Sequence, residues 1–250
     1  LEEKYTITNE DKSSLAKNPY AEIALFFSYT DKKNFLTKYS KEAFKYAKTT
    51  GEIALLYQKI RKNLDLRWKV EISKLASWFG YLNIEDSFPT PYKIPDSAAS
   101  KEHVLATIRQ ESNFDTKGFN GISEDGLMQI IPATEKKLCN ELGIKYKPKR
   151  IIDPAYNIKL GAYYLTKEFN KTHNYIKASC EYNAGPASNS WVEKFGDPAE
   201  MKLYGVINWI ELIPFYITRS YVQRIIENMQ IYRYVLTKNK KLKITEDLLS

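Results

Sequence analysis

Long apolar runs are missing from this 250-residue chain. The longest, 24–27 and 209–217 with Glu211 inside it, fall far short of the roughly 20 residues a membrane helix needs. A transmembrane segment is therefore not expected. Cysteine is equally scarce: Cys139 and Cys180 are the only two, too few for a disulfide framework, and each reads as a small buried apolar residue. Histidine is limited to His103 and His173. With no close Cys/His cluster, neither a structural metal nor a cofactor is expected. Strand-type alternation and any βαβ rhythm are also lacking, so the class is mainly α. The net charge of +8 divides evenly, +4 up to Pro95 and +4 beyond it. Lys238, Lys240, Lys241 and Lys243 form a C-terminal cationic run, 145–152 is a basic, proline-containing loop, and no basic stripe interleaved with aromatics stands out. Nucleic acid is excluded as a partner on that ground. A mildly cationic surface suits an anionic polymer, and a solvated charge excess accounts for it equally well.

What is present is helical periodicity in two regions. The opening up to Asn18 is polar and mixed in charge, and a peripheral, poorly ordered start is expected. From Tyr20 to Tyr81 apolar residues recur at helical spacing. Asp31 reads as an N-cap, and Gly51 as a break before the next helix. Glu22-Ile23-Ala24-Leu25 returns thirty residues later as Glu52-Ile53-Ala54-Leu55, a period suited to stacked helical hairpins of a solenoid. Prolines at 89, 91 and 95 remove donors and disfavour helix before them, which marks a linker. The expected division is 1–95, an α-helical superhelix and linker region, and 96–250. In the second region Asp153-Pro154 makes a good N-cap and N1 pair for a helix through Phe169. Another helix is expected from Asn174 to Tyr182, ended by Gly185-Pro186, and a long last one from Pro214. The first residue is Leu1, from which removal of an N-terminal segment is expected.

Residues 101–129 hold the chemistry. Val104, Ile108 and Glu111 fall at i, i+4 and i+7 on one helical face, placing a carboxyl in line with an apolar stripe. Poor solvation there raises its pKa and makes a general acid. From the residues alone the plain reading, a solvated Glu at a helix end, is the favoured one. The wider pattern adds motifs. Glu111-Ser112, Gly126-Leu127-Met128-Gln129, Ile131-Pro132-Ala133-Thr134, Glu181-Tyr182-Asn183-Ala184-Gly185-Pro186, Glu211-Leu212-Ile213-Pro214-Phe215 and Thr218-Arg219-Ser220-Tyr221-Val222 follow one another in order. Together they resemble the signature of the soluble lytic transglycosylases, over about residues 98–236.

That resemblance implies a lysozyme-like catalytic domain at 96–250 behind the last piece of a helical superhelix, with a short strand somewhere in 118–130. It implies cleavage of the bond between N-acetylmuramic acid and N-acetylglucosamine in peptidoglycan, in the periplasm, without water or cofactor. Peptidoglycan glycan strands are the implied partner. Glu111 would be the single catalytic residue. Met128, Gln129, Tyr182, Asn183, Glu211, Asn120 and Tyr221 would bind the saccharide. Each of these has a plainer reading: core for Met128, a solvated amide for Gln129, helix packing for Tyr182 and Tyr221. Glu211, inside an apolar run, needs either a function or a buried partner such as Arg219. The chain departs from the family pattern at Asn120, where a serine is usual, at Ser123-Glu124-Asp125 before the GLMQ segment, and at Glu181, where a small residue is usual. Acids facing the groove would push the Glu111 pKa up. Two alternatives follow: a muramidase that hydrolyses the same bond, and a wall-binding scaffold whose site has decayed.

Overall fold

The computed structural model describes residues 5–117 and 126–250, which divide between Pro89 and Thr90 into two compact units. The break falls inside the proline-rich stretch, as the loss of backbone donors there requires. All regular structure among the described residues is helical, and none of these helices is long and apolar enough to cross a membrane.

The first unit holds α1 (Asn9–Leu15), α2 (Ala21–Ser28), α3 (Lys33–Tyr46), α4 (Thr50–Ile60), α5 (Leu66–Ser77) and the short α6 (Ile84–Ser87). Its core is a layer of wholly buried side chains, Leu36, Phe44, Leu56, Tyr57, Ile60 and Ile72. Helix α2 pairs with α3, and α1 with α4. Asp86 of α6 takes the Tyr57 hydroxyl at 2.7 Å and the Arg61 guanidinium, at 2.9 Å from Nη2, which closes the far end of the unit. The two Glu-Ile-Ala-Leu segments lie on α2 and α4 and bury the same alanine, Ala24 and Ala54. Their isoleucines differ: Ile23 is 38% exposed and Ile53 4%. The repeat is therefore a shared helical face and not an equivalent packing position.

Three local expectations are corrected. The polar opening is docked: Thr8 and Asp11 form a capping box on α1, Leu15 is buried, and the Tyr5 hydroxyl reaches the Gly80 carbonyl at 3.1 Å. Gly51 lies inside α4 and breaks nothing. A Cβ there would stand 2.4 Å from the Asp11 carboxylate, which also accepts the hydroxyl of Thr49, the α4 N-cap. The glycine thus serves a close approach between α1 and α4. Asp31 is not a cap, because α3 starts two residues later behind Lys32, with no side-chain cap bond.

The second unit contains α7 (Lys101–Ser112), α8 (Pro132–Glu141), α9 (Pro154–Thr172), α10 (Tyr175–Ala184), α11 (Asn189–Phe195), α12 (Leu203–Leu212), α13 (Tyr216–Thr237) and α14 (Ile244–Leu249). Asp153 caps α9 through the Tyr156 amide at 2.8 Å with Pro154 at N1, and Asn174 caps α10 through the Lys177 amide at 3.0 Å. The last long helix starts at Tyr216, two residues after Pro214. Helix α7 lies along α13, burying Val104, Leu105 and Ile108 with Val222, Ile225 and Met229, and α10 packs on both α9 and α13. Arg233 clamps α14 by donating to both oxygens of Asp247, at 2.9 and 3.0 Å, while also reaching Glu102 at 3.2 Å. Cys139 and Cys180 are both free and buried. His103 is buried against Ser179, 3.2 Å from its hydroxyl, and burial pushes its pKa down to about 3. It is a neutral core residue.

Candidate active site

Glu111 is the next-to-last residue of α7. The helix stops there because Asn113 and Phe114 both turn left-handed, at φ 50° and 67°. Phe114 is then buried and its ring stacks near that of Tyr92, 6.5 Å between centroids. The Ser112 hydroxyl donates to the Leu127 carbonyl at 2.8 Å, so the end of α7 is tied to the turn at 126–129. That turn is held from three more sides. The Met128 amide donates to Asn157 Oδ1 at 2.9 Å, and Asn157 Nδ2 to the Ile151 carbonyl at 2.9 Å. The Tyr182 hydroxyl donates to the Met128 carbonyl at 2.8 Å. Gln129, left-handed at φ 50°, returns its side-chain amide to the Gly126 carbonyl at 2.7 Å.

A cavity of about 460 Å³ opens beside Glu111, lined also by Gln129, Tyr164, Glu181, Tyr182 and Asn183. Burial pushes the Glu111 carboxyl from an ordinary 4.5 up to about 7, against a lowering influence from the Tyr221 hydroxyl. Tyr221, 4% exposed, faces Glu111 and Thr107 without meeting either at full hydrogen-bond geometry. Burial and then the Glu111 charge raise the Tyr182 phenol well above its usual range, so both tyrosines stay neutral. Asn183 accepts the Thr218 hydroxyl at 2.7 Å on Oδ1. That bond fixes which end of the amide is spent and leaves the nitrogen to donate toward the cavity. The arrangement can hold a proton at neutral pH next to a polar, aromatic-walled groove.

The sequence-derived site residues fall into five groups. Glu111, Gln129, Tyr182 and Asn183 share the cavity wall. Tyr221 stands behind Glu111 in the core. Met128 is 0% exposed and packs against α9 at Gly161. It offers a ligand no side-chain surface, so the expectation that its side chain lines the groove is corrected: its carbonyl does the work, by positioning Tyr182. Glu211, by contrast, is not buried. It is exposed at the end of α12, accepts from Gln223 at 2.7 Å, and has Arg219 as an exposed partner, with Nε 3.9 Å from its carboxylate and Nη1 on its backbone carbonyl at 2.9 Å. It is not among the residues lining the cavity beside Glu111. Asn120, Glu124 and Asp125 lie outside the described residues, as does most of the segment where a strand was expected; 126–129 is a turn.

Sequence reasoning missed Tyr164, whose ring meets that of Tyr182 at 5.3 Å between centroids, and Thr218, which orients Asn183. Tyr164 gives no signal, because it sits in the apolar pattern of a core helix. Thr218 was visible within its motif, but its partner lies 35 residues away.

Residues 95–203 match the family model described as "Transglycosylase SLT domain". The matched segment holds Glu111, Gln129, Tyr182 and Asn183. Its curated relatives include the soluble lytic murein transglycosylase of Escherichia coli K12, 28% identical over 68% of this chain and 27% of the relative. A putative soluble lytic murein transglycosylase of Haemophilus influenzae is 30% identical over 69% of this chain and 29% of the relative. The chain thus spans little more than a quarter of the curated relatives it matches. In fold, the 70-kDa soluble lytic transglycosylase of Escherichia coli aligns with a TM-score of 0.64 at 24% identity, over 99% of this chain and 40% of its own. An inactive mutant of the lytic transglycosylase Slt from Pseudomonas aeruginosa aligns at 0.68 and 24%, over 96% and 39%. The helical, lysozyme-like class expected from the sequence is the class of these neighbours. The match to the SLT domain ends at residue 203, so Glu211, Thr218 and Tyr221 are supplied by chain beyond it.

Proposed function

We propose that the chain is a peptidoglycan lytic transglycosylase acting in the periplasm on the bond between N-acetylmuramic acid and N-acetylglucosamine. The observation that carries the reading is Glu111: a carboxyl that burial holds near 7, on the wall of a cavity, inside the segment that matches the SLT domain. Protonated Glu111 gives its proton to the bridging oxygen as the C1–O bond breaks, and the acetamido oxygen of the muramic sugar bonds to C1. The Glu111 carboxylate then takes the proton of that sugar's C6 hydroxyl, O6 bonds to C1, and the acetamido oxygen leaves. Glu111 ends protonated and no water is consumed. One carboxyl suffices because the second nucleophile is tethered to the substrate, which gives it a large effective concentration over bulk water. Tyr182 and Tyr164 supply apolar faces to the sugars, and the Asn183 and Gln129 side chains supply polar contacts.

Digestion of purified sacculi tests the reading. The expected muropeptides end in 1,6-anhydro-N-acetylmuramic acid, each lighter by one water than the hydrolysis product, and resist borohydride. Reducible termini would instead support a muramidase. Glu181 is the first candidate for its water-activating base, because it lines the same cavity.

The acid role also sets the pH dependence. The first step needs Glu111 protonated, so kcat/KM should fall tenfold per unit once pH exceeds about 7. An ordinary carboxyl would place that fall near 4.5. A kcat/KM profile measured from pH 4 to 9 on a soluble glycan oligomer reads the difference directly.

A further inference from the structure

The groove does not stop at Glu181. A second cavity, of about 480 Å³, shares Glu168, Lys171 and Glu181 with the first and has Cys180, Val192 and Trp209 in its lining. The shared wall is charged, and its charges are unevenly answered. Lys171 bonds both oxygens of Glu168 at 2.8 Å, and Lys177 bonds Asp197 at 2.6 Å. Glu181 accepts only the neutral Ser188 hydroxyl, at 2.9 Å on Oε2, and no cation of the described residues pairs with it. A half-buried carboxylate with a spare oxygen therefore stands where the two cavities meet. Among the described residues that charge is left uncompensated.

We propose that Glu181 is a specificity-determining residue, selecting glycan strands by an amine carried on their peptide side chain as that side chain passes from the groove into the second cavity. The inference rests on the transglycosylase reading above. N-Acetylmuramic acid bears its peptide beside the bond to be cut, so a groove that seats this sugar near Glu111 needs an exit for the peptide, and the second cavity shares part of the first one's wall. Peptides of this polymer carry an ω-amine on one residue, free until it is cross-linked to a neighbouring strand. An ammonium group is a three-donor cation that matches the open oxygen of Glu181. Lys171 and Lys177, neutralised by their own partners, do not repel it. A cross-linked or acylated amine loses the charge and with it the attraction.

The test compares soluble glycan oligomers bearing native, N-acetylated and N-monomethylated peptide amines, with peptide-free glycan alongside. Wild type should favour native over acetylated peptides by about three- to tenfold in kcat/KM, the range of a partly exposed ion pair. Methylated peptides, which keep the charge, should behave as native. In Glu181→Gln the native-to-acetylated ratio should fall to about one. The glutamine keeps an oxygen for Ser188, and a ratio within one variant cancels any general loss of activity. Equal rates on native and acetylated peptides in wild type overturn the proposal, as does a preference that survives in Glu181→Gln. Cleavage of every substrate without preference sinks this inference alone. Failure to cleave even peptide-free glycan sinks the transglycosylase reading, and the inference falls with it.

Discussion

Replacing Glu111 by Gln should lower turnover at least a hundred- to ten-thousand-fold, while the protein folds and becomes harder to unfold at alkaline pH. The first half follows from the two jobs assigned to one group: an amide can neither give the proton to the bridging oxygen nor take one from the C6 hydroxyl, and loss of a general acid or base alone costs about 10²–10⁴. The second half follows from linkage. The folded-state pKa of Glu111 is raised by burial to about 7, so between about 4.5 and 7 the folded protein binds more protons than the unfolded chain. Stability then falls as pH rises through that window. Ionised Glu111 costs roughly 1–3 kcal/mol above pH 7, and the neutral amide removes the cost. Denaturation midpoints of the two proteins should coincide near pH 4 and separate, mutant higher, at pH 8. A mutant within a few-fold of wild-type rate on sacculi would remove Glu111 as the catalyst. Equal midpoints at pH 8 would mean that the carboxyl is better solvated than its surroundings imply.

The other large effect belongs to Gly126, which is not among the residues lining the cavity beside Glu111. It sits at φ +64°, and a Cβ there would lie 2.3 Å from both the Ile151 carbonyl and the Asn157 amide nitrogen. The carbonyl is backbone and cannot move aside. Asn157 cannot either, because its two ends hold Met128 and Ile151. Gly126→Ala therefore combines the cost of a left-handed alanine with overpacking, together about 3 kcal/mol. It also shifts the Met128 carbonyl on which Tyr182 rests, and misplacement by about 1 Å costs on the order of a hundredfold in rate. Gly143→Ala is the control. Gly143 has the same φ of +64° with nothing within 4 Å, so it should lose only about 1 kcal/mol and no activity. Chemical denaturation and initial rates on a soluble glycan oligomer check both variants. Equal losses at the two glycines would show that backbone conformation alone matters, not the crowding at Gly126.

Glu111 was legible because its chemistry is local: an apolar stripe on one helix brings the carboxyl to the core edge, and periodicity reads that without any long-range contact. The caps of α9 and α10 were legible for the same reason. Met128 and Glu211 were not, because each depends on which way a short segment faces after it packs. Met128 lies in a turn whose orientation is set by Asn157 and Tyr182, 29 and 54 residues away. Glu211 sits in a run apolar enough to suggest burial, yet the exposed Tyr204, Ile207 and Leu212 show that α12 leaves much of its apolar surface uncovered. Gly51 read as a break because glycine usually is one, and only the approach of Asp11 from a different helix explains it. Local rules reached the elements and the apolar stripe that carries Glu111. The contacts that decide what each side chain touches come from elsewhere in the chain.

The bond from Ser112 to the Leu127 carbonyl has a consequence for how such a site tolerates change. It closes a circuit: the chain leaves α7 at Ser112 and is returned, fifteen residues later, to the atom beside the point of departure. That bond fixes the separation of the two ends without reference to the length of chain between them. Lengthening a closed circuit is thermodynamically cheap, with each doubling of its length costing about 0.6 kcal/mol. Extra length between Ser112 and Leu127 should therefore cost little in stability and leave the end of α7 in place.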